Sequence, residues 1–336
     1  MEGAKKYLSG IVLSAVISAA AYLLSLVVPA GILGGTLIAL LLGMSLNPLV
    51  SRYKVFEPGI NWSSKIILRA GIILAGITLS FSQVVQAGKY ALILMLFTLT
   101  TAFGVGYICR KVFNINWKLS SLLSVSTAIC GGTAVATLGP TIRAENRDIA
   151  YAISATFIFD LLTVIAFPWI GRLLGLGDTG YGLWIGTCVN DTSSVVAAGY
   201  AFSDAAGLLA TIVKLTRTLF IVPIVLVFSW IYAKKEVSSQ AAEKVSIRKI
   251  FPWFILGFLA VVGIRSTGFV PANLVSNISF MSKFFLSMAL AAIGLKTSFN
   301  EVAGVGIKPM VAAVVIDVSV VFVSLFAQAG ILHFLG

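Results

Sequence analysis

The 336-residue chain predicts an all-α membrane protein of about eleven transmembrane segments, arranged as inverted-topology repeats with two discontinuous or re-entrant segments. Three observations lead there. Uncharged runs come first: Lys6 and Arg52 enclose 45 residues without a charged side chain, mean hydropathy is +1.02, and charged residues are only 11% of the chain. Hydrocarbon offers no partner to a peptide group, so such runs cross it as helices that bond internally. The second observation is an internal repeat, and the third is a pair of small polar motifs that interrupt apolar runs.

The elements follow in order from a requirement of about 20 apolar residues per span. Segment one, 7–28, follows Lys5 and Lys6; its apolar run is longer than that of a secretory signal and reads as a helix. Pro29 with Gly31 marks a turn, and 31–47 ends at Asn47-Pro48. Segments at 63–81, 89–110, 117–142, 148–171, 181–201 and 205–233 follow. The stretch from Ala233 to Lys249 carries Lys234, Lys235, Lys244, Arg248 and Lys249 and is the longest polar connection; beyond it lie 249–265, 280–297 and 309–335. With the N-terminus cytoplasmic and all segments crossing, 17 of the 22 Lys and Arg outside the eighth segment fall inside; with segments five and seven re-entrant the number is 18. Both arrangements satisfy the positive-inside rule. The net charge of +12 is therefore a topology signal, and no nucleic-acid partner is expected. Trp62, Trp117, Trp169, Trp184 and Trp253 lie near segment ends and read as interfacial anchors. Cys109, Cys130 and Cys188 sit in apolar stretches and read as small buried hydrophobes; neither a disulfide framework, a metal site nor a cofactor is expected.

The whole chain, 1–336, reads as one membrane domain with its core around 117–142 and 181–201. Lys65, Leu68, Gly76, Ser80, Phe81, Val84 and Gly88 recur 218 positions later as Lys283, Leu286, Gly294, Ser298, Phe299, Val302 and Gly306. Segments three and ten, which carry the repeat-related stretches 65–88 and 283–306, enter the membrane from opposite sides. A weaker echo at about 60 residues relates TAICGGTAVA to TCVNDTSSVV.

Both interruptions sit where lipid tolerates neither polarity nor loose backbone. Segment five breaks at Cys130-Gly131-Gly132-Thr133, where adjacent glycines weaken a helix by about 1 kcal/mol each relative to Ala and free peptide groups for a ligand. Segment seven breaks at Asn190-Asp191, after which Thr192, Ser193 and Ser194 can cap a new helix. A half-helix N-terminus suits an anion, and unwound carbonyls suit a cation. Intramembrane ionisable residues are functional candidates by default: Asp160, Asp191, Lys214, Arg217 and Asp317 qualify. Lys214 and Arg217, three apart, share a helix face and point to a substrate-anion site; an ion pair of either with Asp160 or Asp191 is the competing structural reading.

The motifs LRAGIILAGITLS, TAICGGTAVA, NDTSSVVAAG, KLTRTLFIVP and AAIGLKT resemble those of the YeiH-type family of bacterial membrane proteins, which carries a sulfate-export label. The resemblance covers nearly the whole chain. It implies a distant grouping with cation/proton antiporters and bile-acid symporters, hence a panel domain and a core of broken helices. Members usually carry His-Asp-Thr where this chain has Asn190-Asp191-Thr192, so the group that titrates near neutral pH is missing here. The expectation is a secondary transporter of a small inorganic or organic anion, such as sulfate or an organosulfonate, working by alternating access in the bacterial inner membrane. Cys130, Gly131, Gly132, Thr133, Asn190, Asp191, Thr192, Ser193, Lys214 and Arg217 are the candidate substrate residues; Asp160, Asp191 and Asp317 are the candidates for H+ or Na+ coupling. A homodimer is an admissible assembly. A cation/proton antiporter built on the three aspartates is the alternative, and an intramembrane enzyme is disfavoured because the lone His333 is remote from the breaks.

Overall fold

A computed structural model describes residues 2–27, 35–235, 253–296 and 307–335. These residues contain helices and no strands. In chain order they are α1 (Glu2–Val27), α2 (Gly35–Val50), α3 (Glu57–Thr78, with a π turn at Ser63–Ile67 and a 3₁₀ end), α4 (Phe81–Phe113), α5 (Trp117–Ala128), α6 (Gly132–Thr141) and α7 (Asn146–Leu173). They continue with α8 (Asp178–Cys188), α9 (Thr192–Phe202), α10 (Asp204–Leu219), α11 (Ile221–Lys235), α12 (Phe254–Ser266), α13 (Ala272–Lys296) and α14 (Ile307–Leu335). Seven helical stretches are long and apolar enough to cross a membrane; the apolar parts of α2 and α12 are shorter. The predicted segments five and seven are not among the seven, because each is two helices, α5 with α6 and α8 with α9. The connector 236–249, the turn at Pro29 and Gly31, and the repeat positions Ser298, Phe299, Val302 and Gly306 lie outside the described residues.

The chain divides into two compact units. The described residues of Met1–Gln86, Val196–Leu208 and Trp253–Glu301 form the first. Its core joins Ile17 and Ala21 of α1, Ile38 and Ala39 of α2, Ile60 of α3, and Ala291, Ala292 and Leu295 of α13. Small residues let these helices touch backbone to backbone, the packing available where no hydrophobic driving force separates helix from lipid. A Cβ on Gly76 would lie 2.9 Å from the Phe258 carbonyl and 3.2 Å from the Val262 side chain; one on Gly294 would press into the Leu40 carbonyl and lie 2.8 Å from the Met44 nitrogen. Leu40 and Met44 stand 218 positions before Phe258 and Val262, the spacing that separates Gly76 from Gly294. Ser282 Oγ donates to the Gly71 carbonyl at 2.8 Å, tying α13 to α3.

The second unit comprises the described residues of Ala87–Val195, Leu209–Pro252 and Val302–Gly336. Ala91 and Leu94 of α4, Leu183 of α8, Val213 of α10 and Ile331 of α14 form part of its core. Trp184 departs from the expectation of an interfacial anchor. It is 1% exposed, stacks on Phe167 at 4.9 Å between ring centroids, and donates Nε1–H to the Val321 carbonyl at 3.1 Å. Every residue of α8 from Gly180 to Cys188 is buried, so a position near a segment end did not place this ring at the interface. Trp169 and Trp253 are exposed, as anchors are.

Candidate functional site

Both breaks lie in the second unit and have the same design. α5 starts with Asn116, whose side chain accepts from Leu119 N at 2.7 Å, and its last turn closes through the Ile129 N–H to the Val125 carbonyl. The chain then turns back on itself: Gly131 N donates to the Ser126 carbonyl at 2.9 Å, with Gly131 at φ +61° and ψ −132°. That conformation is open to glycine and costly for any other residue. A Cβ there would also stand 3.1 Å from Thr156 Cγ2 and 3.4 Å from the Asn190 carbonyl carbon, so the first break rests against the second. At Gly132 an added Cβ would meet only ordinary contacts with Ile153.

In the second interruption α8 ends on Val189 in extended conformation, and α9 starts at Thr192. Asp191 caps α9, accepting from Ser193 N at 2.7 Å and from the Ser193 hydroxyl. α5 and α8 end 60 positions apart, at Ala128 and Cys188, and α6 and α9 begin 60 positions apart, at Gly132 and Thr192. The weaker sequence echo thus marks a shared helix–break–helix pattern.

Lys214 and Arg217, on one face of α10, are 0% exposed and bind the carbonyls that the breaks release. Lys214 Nζ donates to Ile129 O at 2.6 Å and to Val189 O at 3.1 Å, two carbonyls at equivalent positions of the 60-residue echo. Arg217 donates through Nε to Ala128 O at 2.8 Å and through Nη1 to the carbonyls of Thr187 and Val189. These contacts place a positive charge at the negative dipole end of α5 and of α8. No carboxylate pairs with either cation among the described residues, so the ion-pair reading does not describe them.

The carboxylates bind donor groups at the same interruptions. Asp160 of α7 accepts from Asn190 N at 2.9 Å and Asp191 N at 3.0 Å, holding the peptide groups that lead into α9. Asp317 of α14 accepts, on one oxygen, from the Thr127 hydroxyl at 2.6 Å and from Asn190 Nδ2 at 3.0 Å, linking α5 to the second break. Asn190 Oδ1 and Arg217 Nη2 are buried without a protein partner. Asp160, Asn190 and Asp317 are buried, as are Cys130 and Gly131; Gly132, Asp191, Thr192 and Ser193 are half-buried, and Thr133 is exposed.

The structure therefore gathers the predicted site residues in one unit, and Asp160, Asn190, Asp191, Ser193, Lys214, Arg217 and Asp317 among them share hydrogen bonds at the two breaks. Sequence reasoning missed Thr127, Ser126 and Thr156 as members. The Ser126 and Thr156 hydroxyls bond to each other, joining α5 to α7. For Ser126 and Thr127 the signal was the hydroxyl-rich run leading into the first break; Thr156, on α7, had none.

Comparison with known proteins supplies the family. The model described as "Conserved hypothetical protein 698" matches residues 9–313. The chain belongs to that family. It is 53% identical over 335 residues to a UPF0324 membrane protein of Clostridium tetani, covering 96% of this chain and 97% of the relative. UPF0324 membrane proteins of Streptococcus agalactiae serotype V and Streptococcus pyogenes serotype M18 are 35% and 37% identical, with at least 96% of each chain covered. Family and apolar helices together make this a membrane protein, in keeping with the YeiH-type resemblance.

Proposed function

We propose that this UPF0324 family member is a secondary transporter of a small anion, sulfate or an organosulfonate, working by alternating access. One observation carries the reading: of four half-helix ends at the breaks, three face a fixed opposite charge and one does not. Lys214 and Arg217 serve the C-termini of α5 and α8, and Asp160 with Asp191 serves the N-terminus of α9. The N-terminus of α6 meets only Gly131, with no side-chain cap. Its first peptide N–H with a backbone acceptor is that of Ala134, leaving those of Gly132 and Thr133 for an external anion at the half-buried, exposed edge of the site. In this reading Lys214 and Arg217 supply long-range positive potential without touching substrate, and Asp191, Asp160 and Asp317 carry the coupling H+ or Na+.

Matched contacts of Gly76 and Gly294 at the 218-residue spacing support two structurally equivalent halves, which alternating access by inverted repeats requires. Eleven segments, a bacterial inner-membrane location and a cytoplasmic N-terminus belong to this reading, as does a carrier role rather than an enzymatic one. The orphan acceptor Asn190 Oδ1 among three aspartates favours a second reading, a cation/proton antiporter. Proteoliposomes separate the two. The anion reading expects labelled sulfate or taurine to exchange, with a loss of tenfold or more in Asp191→Asn and Thr133→Val; sodium-driven proton flux without anion movement would leave the antiporter.

A further inference from the structure

The cleft at the C-terminal end of α4 plays no part in this site, and it has the amphipathic grading of a phospholipid. Its inner part holds about 200 Å³ between α4, α5 and α11. Phe103 and Phe228, with ring centroids 5.7 Å apart, form with Ile231 the apolar side of this part, and Ser120, Ser121 and Ser124 of α5 line it as well. Tyr107, Arg110 and Trp117 line both this part and an adjoining outer part of about 700 Å³ that adds Lys111. Along α4, Phe103 and Arg110 are seven residues apart, about 10 Å at 1.5 Å per residue. The wall thus changes from hydrocarbon to cation over the depth that a lipid passes from acyl chain to headgroup.

The mouth is basic. The half-buried Arg110 guanidinium makes no hydrogen bond or ion pair among the described residues. Lys111 Nζ lies 4.7 Å from the Tyr107 ring centroid; Lys118, outside the lining, donates to the Arg143 carbonyl at 3.0 Å. At the outer part the Asp148 carboxylate accepts from Asn116 Nδ2 at 2.8 Å and is itself 2% exposed. The distribution of Lys and Arg puts this end of α4 on the cytoplasmic side in both sequence-derived topologies, the leaflet face where basic pockets between helices hold anionic headgroups.

We propose that this cleft binds an anionic phospholipid, its phosphate at Arg110 and Lys111 and an acyl chain along Phe103 and Phe228. The test uses the full chain purified in a neutral detergent. Phosphatidylglycerol is expected to raise Tm by about 2–4 °C, with phosphatidylcholine and inorganic phosphate giving less than a quarter of that shift. Arg110→Ala combined with Lys111→Ala is expected to abolish the phosphatidylglycerol shift. If that double variant does not fold, Arg110→Gln alone, which leaves Lys111 over Tyr107, is expected to reduce the shift at least by half. An equal shift with phosphatidylcholine would overturn the proposal in favour of unspecific lipid contact, and an equal shift with inorganic phosphate would overturn it in favour of a free-anion site. Full retention of the phosphatidylglycerol shift in Arg110→Gln would overturn it as well. None of these outcomes depends on what the carrier site transports.

Discussion

Gly131 and Gly132 are adjacent and look alike in the sequence, yet the backbone asks different things of them. Gly131 sits at positive φ against Thr156 and Asn190, whereas Gly132 has room for a methyl group. Gly131→Ala is expected to destabilise the protein by about 1–3 kcal/mol, and Gly132→Ala by less than about 1 kcal/mol, measurable as Tm in detergent. Asn190 is the other residue whose identity has consequences, because its side chain bonds Asp317 while its N–H bonds Asp160. Asn190→His places an imidazole beside the Asp317 carboxylate, so the variant's flux is expected to change between about pH 5 and 8 in a way that differs from the native profile. A profile identical to the native one in the folded variant would separate position 190 from proton coupling.

Among the elements, α10 holds the two interrupted segments in register. Lys214→Met would strip the Ile129 carbonyl of the ammonium donor that it has among the described residues and leave Val189 with Arg217, each lost bond to a buried acceptor costing about 1–3 kcal/mol. The variant is expected to lose helix–break geometry and thermal stability together, and Lys214→Arg to recover part of both. The break positions were legible in the sequence because Gly-Gly and Asn-Asp cannot continue a helix cheaply in lipid. The partners of Lys214 and Arg217 were not: pattern reading sees side chains, and the acceptors here are main-chain carbonyls that exist as acceptors only because the helices stop. Trp184 shows the same limit. Hydropathy scores a ring buried in protein and one facing lipid alike, and only packing against Phe167 and Val321 separates them.

For the molecule as a whole, the 218-residue repeat makes a prediction about sidedness. Lys65 and Lys283 are equivalent positions, and both side chains are exposed. If the repeats are inverted, a membrane-impermeant thiol reagent is expected to label Lys65→Cys from one side of the membrane and Lys283→Cys from the other, in a background without native cysteines. Labelling of both from one side would leave the repeat as parallel or coincidental. Backbone-close packing of α2 with α13 is part of the same design: Gly294→Ala is expected to cost more stability than Gly76→Ala, since its Cβ meets backbone at shorter range. Sequence alone carried the all-helical membrane class and the positions of the two helix breaks; it did not carry the division into two units, because that depends on which apolar faces meet.

Trp184 also has a practical use. Its ring lies sealed in the second unit, three residues ahead of the Thr187 carbonyl that Arg217 holds, while Trp169, Trp230 and Trp253 are exposed. With the other tryptophans replaced by phenylalanine, its ultraviolet emission would serve as a built-in optical gauge, short in wavelength at rest and shifting whenever the end of α8 rearranges during a transport cycle.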